Sequence, residues 1–145
     1  MNFKLPLIAA FVGALSLSAC GGSSGTSTPA VAVSSPATLV STDVTVGTGA
    51  TVTTNASVTM NYTVWVYKAD AVDFKGVQVD TRSGFVFTVG DSQIITGLNS
   101  GIIGMKVGGR RVLLIPAAQA YAEKGAGVIP PNSGIVFDMT VTGVK

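Results

Sequence analysis

GVIPPNSGIVFDM, residues 127 to 139, sets two textures side by side. Pro130 and Pro131 offer no backbone donor and hold φ near about −65°. Asn132-Ser133-Gly134 is turn chemistry. From there Ile135, Phe137, Met139 and Val141 repeat with period two, as a half-buried strand should. A stiffened loop carrying two branched apolar residues, Val128 and Ile129, therefore leads straight into a strand. A loop that had only to bend and stay soluble would need neither the prolines nor the apolar pair.

Upstream the same period recurs. Val58, Met60, Tyr62, Val64 and Val66 alternate with Thr59, Asn61, Thr63, Trp65 and Tyr67, which predicts a strand with the Tyr62 face inward. Asp70 to Gly76 breaks the pattern and reads as a loop. Val77 and Val79 resume it briefly, and Phe85, Phe87 and Val89 form a third set ended by Gly90-Asp91. The period then changes: Ile94, Ile95, Leu98 and Ile102 fit one face of a helix. Gly97 and Gly101 each cost that helix about 1 kcal/mol relative to Ala. It should be short and stable only when a sheet packs on it. Gly108-Gly109 marks a turn, and Val112 and Leu114 open a strand that runs up to Pro116. Antiparallel strands around one short helix make an α+β domain.

The N-terminus is of another kind. Met1 to Cys20 has one early lysine, then an apolar stretch from Leu5 to Leu17, shorter than the ~20 residues a membrane span needs. It fits a secretory signal peptide over residues 1–19. Cleavage after Ala19 would put bulky Leu17 where ordinary signal peptidase wants a small residue. Leu17-Ser18-Ala19-Cys20 instead resembles the lipobox of bacterial lipoproteins, which implies lipidation of Cys20 and a membrane partner through that anchor. Several acyl chains on one residue anchor stably where a single chain is marginal. The location this implies is the bacterial cell envelope, at the outer membrane or the periplasmic face. From Gly21 to about Ala37 the chain is Gly, Ser, Thr, Pro and Ala with a few Val and no charge. That composition reads as a tether over residues 20–37, with a reach on the order of 20–25 Å. The domain is then residues 38–145.

Several chemistries are excluded. Cys20 is the only cysteine, so there is no internal disulfide framework. The net charge of +2 includes Lys4 of the signal, and a nearly neutral remainder has no footprint for nucleic acid. Arg110-Arg111, the only adjacent basic pair, would point to opposite faces of a strand. The absence of histidine removes the commonest general base near neutral pH, any Ser-His-Asp triad and most zinc sites. The domain has a single glutamate, Glu123, and no carboxylate pair spaced as in a glycosidase or a calcium loop. Asp70 and Asp73 read as a solvated loop. Gly101-Ile102-Ile103-Gly104 lacks the Lys-Ser/Thr of a phosphate loop. No metal or cofactor is expected, and an enzymatic reading needs neither a covalent intermediate nor a proton transfer.

Four stretches, NYTVWVY, GMKVGGRR, IPAAQAYAEKGAG and VIPPNSGIVFDM, occur in this order and together resemble the FKBP-type peptidyl-prolyl cis-trans isomerases. The resemblance runs from about Val44 to Lys145. It implies an antiparallel sheet curled around the short helix, isomerisation of X-Pro bonds in exported polypeptides, and a macrolide as a possible inhibitor. It places Tyr62, Asp80 and Tyr121 at the catalytic pocket. Phe85, Gln93, Ile94, Ile95, Leu98 and Phe137 would bind substrate, the Ile95 amide donating to its carbonyl. Val128 and Ile129 would form the pocket lip, held by the two prolines.

Periodicity alone allows plainer roles for some of these. Tyr62 fits a core tyrosine, Asp80 a turn cap, Phe85 and Phe137 ordinary strand core, and the prolines a loop end before an edge strand. Tyr121 lies outside any alternation, which favours a functional role. The sequence also departs from the family. Leu98 stands where Trp is frequent, Val79 replaces the aromatic before the rim Asp, and Ala122 replaces the Gly after the pocket tyrosine. The Tyr121–Val128 loop has no His, and the stretch from Asp80 to Phe85 is short. A lost aromatic wall weakens binding by about 1–3 kcal/mol. Two alternatives follow: a catalytically weak peptide-binding or chaperone module of the same fold, and a non-catalytic surface lipoprotein of β-sandwich type. The sandwich should have no helix between Ile94 and Ile103.

Overall fold

The computed structural model describes residues 33–145. The expected signal peptide, Cys20 and the tether as far as residue 32 lie outside them. Among the described residues the architecture is a five-stranded antiparallel sheet in the order β1-β4-β5-β2-β3 with one short helix. Its strands are β1 (Val40–Thr45), β2 (Ser57–Tyr67), β3 (Lys75–Thr88), β4 (Arg110–Ile115) and β5 (Ile135–Val144). The helix, α1, spans Thr96–Ile102, so the sandwich alternative falls.

Period-two alternation builds the two central strands. In β2, Val58, Met60 and Val64 are buried, while Asn61, Thr63 and Trp65 border the opposite face. In β5, Ile135, Phe137, Met139 and Val141 join the same core, and Asp138 and Thr140 look the other way. β3 is longer than its sequence suggests: one strand of 14 residues runs through the expected loop end at Lys75 and Gly76. Its ladder with β2 shifts register between Met60 and Tyr62, between Val64 and Trp65, and again before Tyr67. Each irregularity resets which face a side chain takes, so the simple alternation disappears although the strand continues. β1 carried no signal because all six of its residues are exposed at the sheet edge.

The helix lies directly on β4. A Cβ on Gly97 would run into Cγ2 of Ile115, and one on Gly101 into the methyl groups of Leu113. The two glycines that weaken the isolated helix are therefore what lets it approach the sheet. Leu98 and Ile102, on the remaining inward positions, are buried. Arg111 donates from Nη1 to the Gly101 carbonyl at 2.7 Å and is paired through its other nitrogens with Asp43, which ties the C-terminal end of α1 to β1. Arg110 points the other way, as the alternation requires. Its Nε and Nη2 meet both oxygens of buried Asp138 at 2.9 and 2.8 Å, and Lys75 adds a third contact at 3.2 Å from above the Trp65 ring.

The described fold reaches further back than the composition suggested. Ser34 Oγ donates to the Tyr67 carbonyl at 3.1 Å and accepts from the Ala69 amide, its carbonyl accepts from Gly134, and Ser35 Oγ accepts from Ala117. Ser34 and Ser35, assigned to the tether, are thus bonded to the domain. They do so through hydroxyls, which leave no mark on a hydropathy pattern.

Gly97→Ala tests the close approach. Alanine gains about 1 kcal/mol in intrinsic helix propensity. Overpacking costs about 1–3 kcal/mol, and Ile115, fully buried and β-branched, cannot rotate its methyl aside. The expected outcome is net destabilisation, read as a lower urea midpoint with an unchanged slope.

Candidate active site

Between the concave face of the sheet and the start of α1 lies a hollow of about 210 Å³. β2 contributes Tyr62, β3 Phe85 and β5 Phe137; the turn before the helix gives Gln93, Ile94 and Ile95; the helix gives Leu98; and the loop after β4 gives Tyr121. Eight of the residues singled out from the sequence thus line one concavity, although Tyr62 and Phe137 stand 75 positions apart in the chain.

Tyr62 organises the wall. Its ring meets Phe85 edge-on at 5.4 Å between centroids and lies 4.9 Å from Phe137, geometries that aromatic pairs favour. Its hydroxyl donates to Oδ2 of Asp80 at 2.8 Å. Asp80 does not line the hollow. It stands behind the tyrosine, with Oδ1 taken up by the Thr81 amide at 2.8 Å and Arg82 3.5 Å from Oδ2. Burial, and then the bond to Asp80, push the Tyr62 phenol up to about 12. The phenol is a held donor rather than a proton carrier at neutral pH.

The floor is built by a polar scaffold that the sequence pattern did not single out. Asp91 Oδ1 accepts from the Gln93 amide at 2.9 Å, and Asn99 donates from Nδ2 to the carbonyls of Asp91 and Ile94 while its Oδ1 accepts from Gly90. These bonds fix the turn that presents Ile94 and Ile95. The Ile95 carbonyl accepts the first bonds of the helix, from Leu98 and Asn99, and its own N–H has no partner among the described residues. Asn99 carried one legible signal, an amide side chain beside the apolar stripe of a helix only seven residues long.

Tyr121 is 38% exposed at the mouth. The residue after it, Ala122, has φ of 45°, the left-handed region that an L side chain occupies at a cost. It is held there because its N–H bonds to Ala117 and its carbonyl accepts from Asn132, at 2.8 and 2.7 Å.

The expected lip is not where the resemblance put it. Val128 is 64% exposed and borders a separate groove with Val66, Val77 and Pro130, whereas Ile129 is 4% exposed and belongs to the core. The reason is local. Ala126 and Ile129 exchange both backbone hydrogen bonds in a tight turn, which sends consecutive side chains to opposite sides of the loop. A larger depression, about 440 Å³, lies on the outer face of the sheet. Its charged groups are already engaged: Arg110 and Lys75 with Asp138, Arg82 with Asp80.

The described residues thus form an antiparallel sheet folded over one short helix, with an aromatic-walled hollow between them. The profile of the FKBP-type peptidyl-prolyl cis-trans isomerases matches residues 49–142, and the chain belongs to that family. An FK506-binding protein of Neisseria meningitidis is 37% identical over 84 residues, 57% of this chain and 74% of that protein. FK506-binding protein 5 of Dictyostelium discoideum is 42% identical over 67 residues, 46% of this chain but only 4% of that protein. The crystal structure of a peptidyl-prolyl cis-trans isomerase of Pseudomonas syringae superposes with a TM-score of 0.63 at 28% identity, over 74% of this chain and 75% of that one.

Two outcomes follow from this geometry. In an ultraviolet titration, one of the three tyrosines should ionise near 12, and Asp80→Asn should move it toward 10 without reaching it, because burial is the larger cause. The raised value means that its contribution to stability is intact below about pH 10 and is lost as pH rises through about 12. Ala122→Gly relieves a positive φ and should stabilise the fold by about 1 kcal/mol, measured as a rise in Tm.

Proposed function

We propose that this chain is a peptidyl-prolyl cis-trans isomerase that assists the folding of exported proteins, held at the cell envelope by a lipid on Cys20. The convergence of Tyr62, Ile95, Tyr121 and Phe137 on one hollow in a member of this family carries the reading. The lipobox and the apolar stretch before it support the placement.

Rotation about an X-Pro bond must break amide resonance against a barrier of about 18–20 kcal/mol. The planar amide has the larger dipole, so an apolar, water-poor hollow disfavours it relative to the twisted transition state. Phe85, Phe137, Leu98 and Ile94 supply such walls. The unpartnered Ile95 N–H and the Tyr121 hydroxyl are donors for carbonyls at the mouth. A thousandfold acceleration needs only about 4 kcal/mol. The hollow is smaller than the ~300–1,000 Å³ of ordinary small-molecule sites, so it suits one ring-sized group such as a prolyl side chain. FK506, named for several relatives, would enter with one such group and leave the rest of its bulk on the rim.

The aliphatic floor at Leu98 favours a second reading, a peptide-binding module of feeble catalysis. The isomerisation rate of an X-Pro peptide with the purified chain separates the two. Acceleration over buffer is expected, and its absence with folded protein removes the enzymatic claim. Binding of unfolded chains that survives Tyr121→Phe and Asp80→Ala would then leave the module. Because the chain has no histidine, kcat/KM should be flat between about pH 6 and 8, where a bell-shaped profile would point to acid-base catalysis instead.

A further inference from the structure

A second apolar groove, about 240 Å³, lies where the end of β2 and the start of β3 meet the proline loop. Its walls are Val66, Tyr67, Val77, Val128 and Pro130. Val77 and Val128 are 68% and 64% exposed, a large apolar surface to leave in water. The one charged group on the groove's border, Lys68, already has Asp70 at 3.7 Å.

Two elements run without interruption from this groove to the hollow. β2 carries Tyr62 at the hollow and, four residues on, Val66 at the groove. The loop after β4 carries Tyr121 at the hollow and Val128 and Pro130 at the groove. Four residues of extended chain cover about 13 Å. β3 is also the last strand of the sheet, so its outer backbone edge is unpaired among the described residues.

We infer that the groove is an accessory subsite that takes an apolar side chain of the same polypeptide whose prolyl bond occupies the hollow, about four residues from the proline. This rests on the isomerase reading and narrows its substrate class to apolar stretches near proline, the segments an unfolded chain exposes. The continuity of β2 and the loop with both sites favours this occupant over a second copy of the chain.

The test uses the full chain and three X-Pro peptides: a short one of four residues, and two longer ones with Leu or Ser placed four residues from the proline, on either side in turn. The Leu peptide should show a kcat/KM about fivefold to tenfold above the Ser peptide, through KM, which is what partial burial of one aliphatic side chain yields. Val77→Asp should erase that preference, leave the short peptide unchanged, and have its effect reversed in Val77→Leu. Equal rates for the Leu and Ser peptides on both sides of the proline overturn the subsite, as does an equal loss for long and short peptides in Val77→Asp. Competition by a synthetic peptide of residues 22–33 gives the groove to the chain's own N-terminal stretch, and a dimer dissolved by Val77→Asp gives it to a second copy; either overturns the proposal. If no peptide is isomerised, the function fails separately, and the affinities of labelled Leu and Ser peptides, read by fluorescence anisotropy, decide the groove by the same comparison.

Discussion

The contact between α1 and β4 governs the geometry of the site. Gly97 and Gly101 present backbone, not side chain, to Ile115 and Leu113, and the helix settles against the strand. That places Leu98 under the hollow and sets the height at which Ile94 and Ile95 enter it. A helix lifted by even one methyl group would shift that floor relative to Tyr62 and Phe137. The constraint costs intrinsic helicity, and the bond from Arg111 to the Gly101 carbonyl offsets part of that by satisfying the helix end.

The wall depends on a polar bond hidden behind an apolar surface. Tyr62 presents its ring to Phe85 and Phe137 while its hydroxyl is turned back to Asp80. A phenylalanine there would keep the ring and lose the bond that fixes its tilt. A carboxylate facing the hollow directly would bring water and charge with it. Setting the charge behind the aromatic ring keeps the cavity wall apolar without leaving a buried donor unsatisfied.

Strands with one face in the core were legible in the sequence, because alternation is the trace that burial leaves. β2 and β5 announced themselves in this way, and the change of period at Ile94 announced the helix. β1 was silent because it buries nothing, and β3 was fragmented because its irregular ladder with β2 scrambles the alternation. The family motifs singled out the residues that line the hollow. The same transfer misplaced Val128 and Ile129, since a tight turn at Ala126 decides which way each points and composition does not encode that turn. The Asp91 and Asn99 scaffold and the Ser34 contacts stayed hidden for a shared reason. Polar side chains that bond to backbone look, in a sequence, like polar side chains that bond to water.

The hydroxyl bonds of Ser34 and Ser35 bear on mechanics. A pull delivered from the N-terminal side enters the domain at these residues, beside Tyr67 and Ala117, before it reaches β1. β1 hangs on the sheet by one neighbour, while β5, which carries Phe137, is flanked on both sides. Under tension the two serines and then the edge strand would yield first, and the load would be spent before it could distort the cavity.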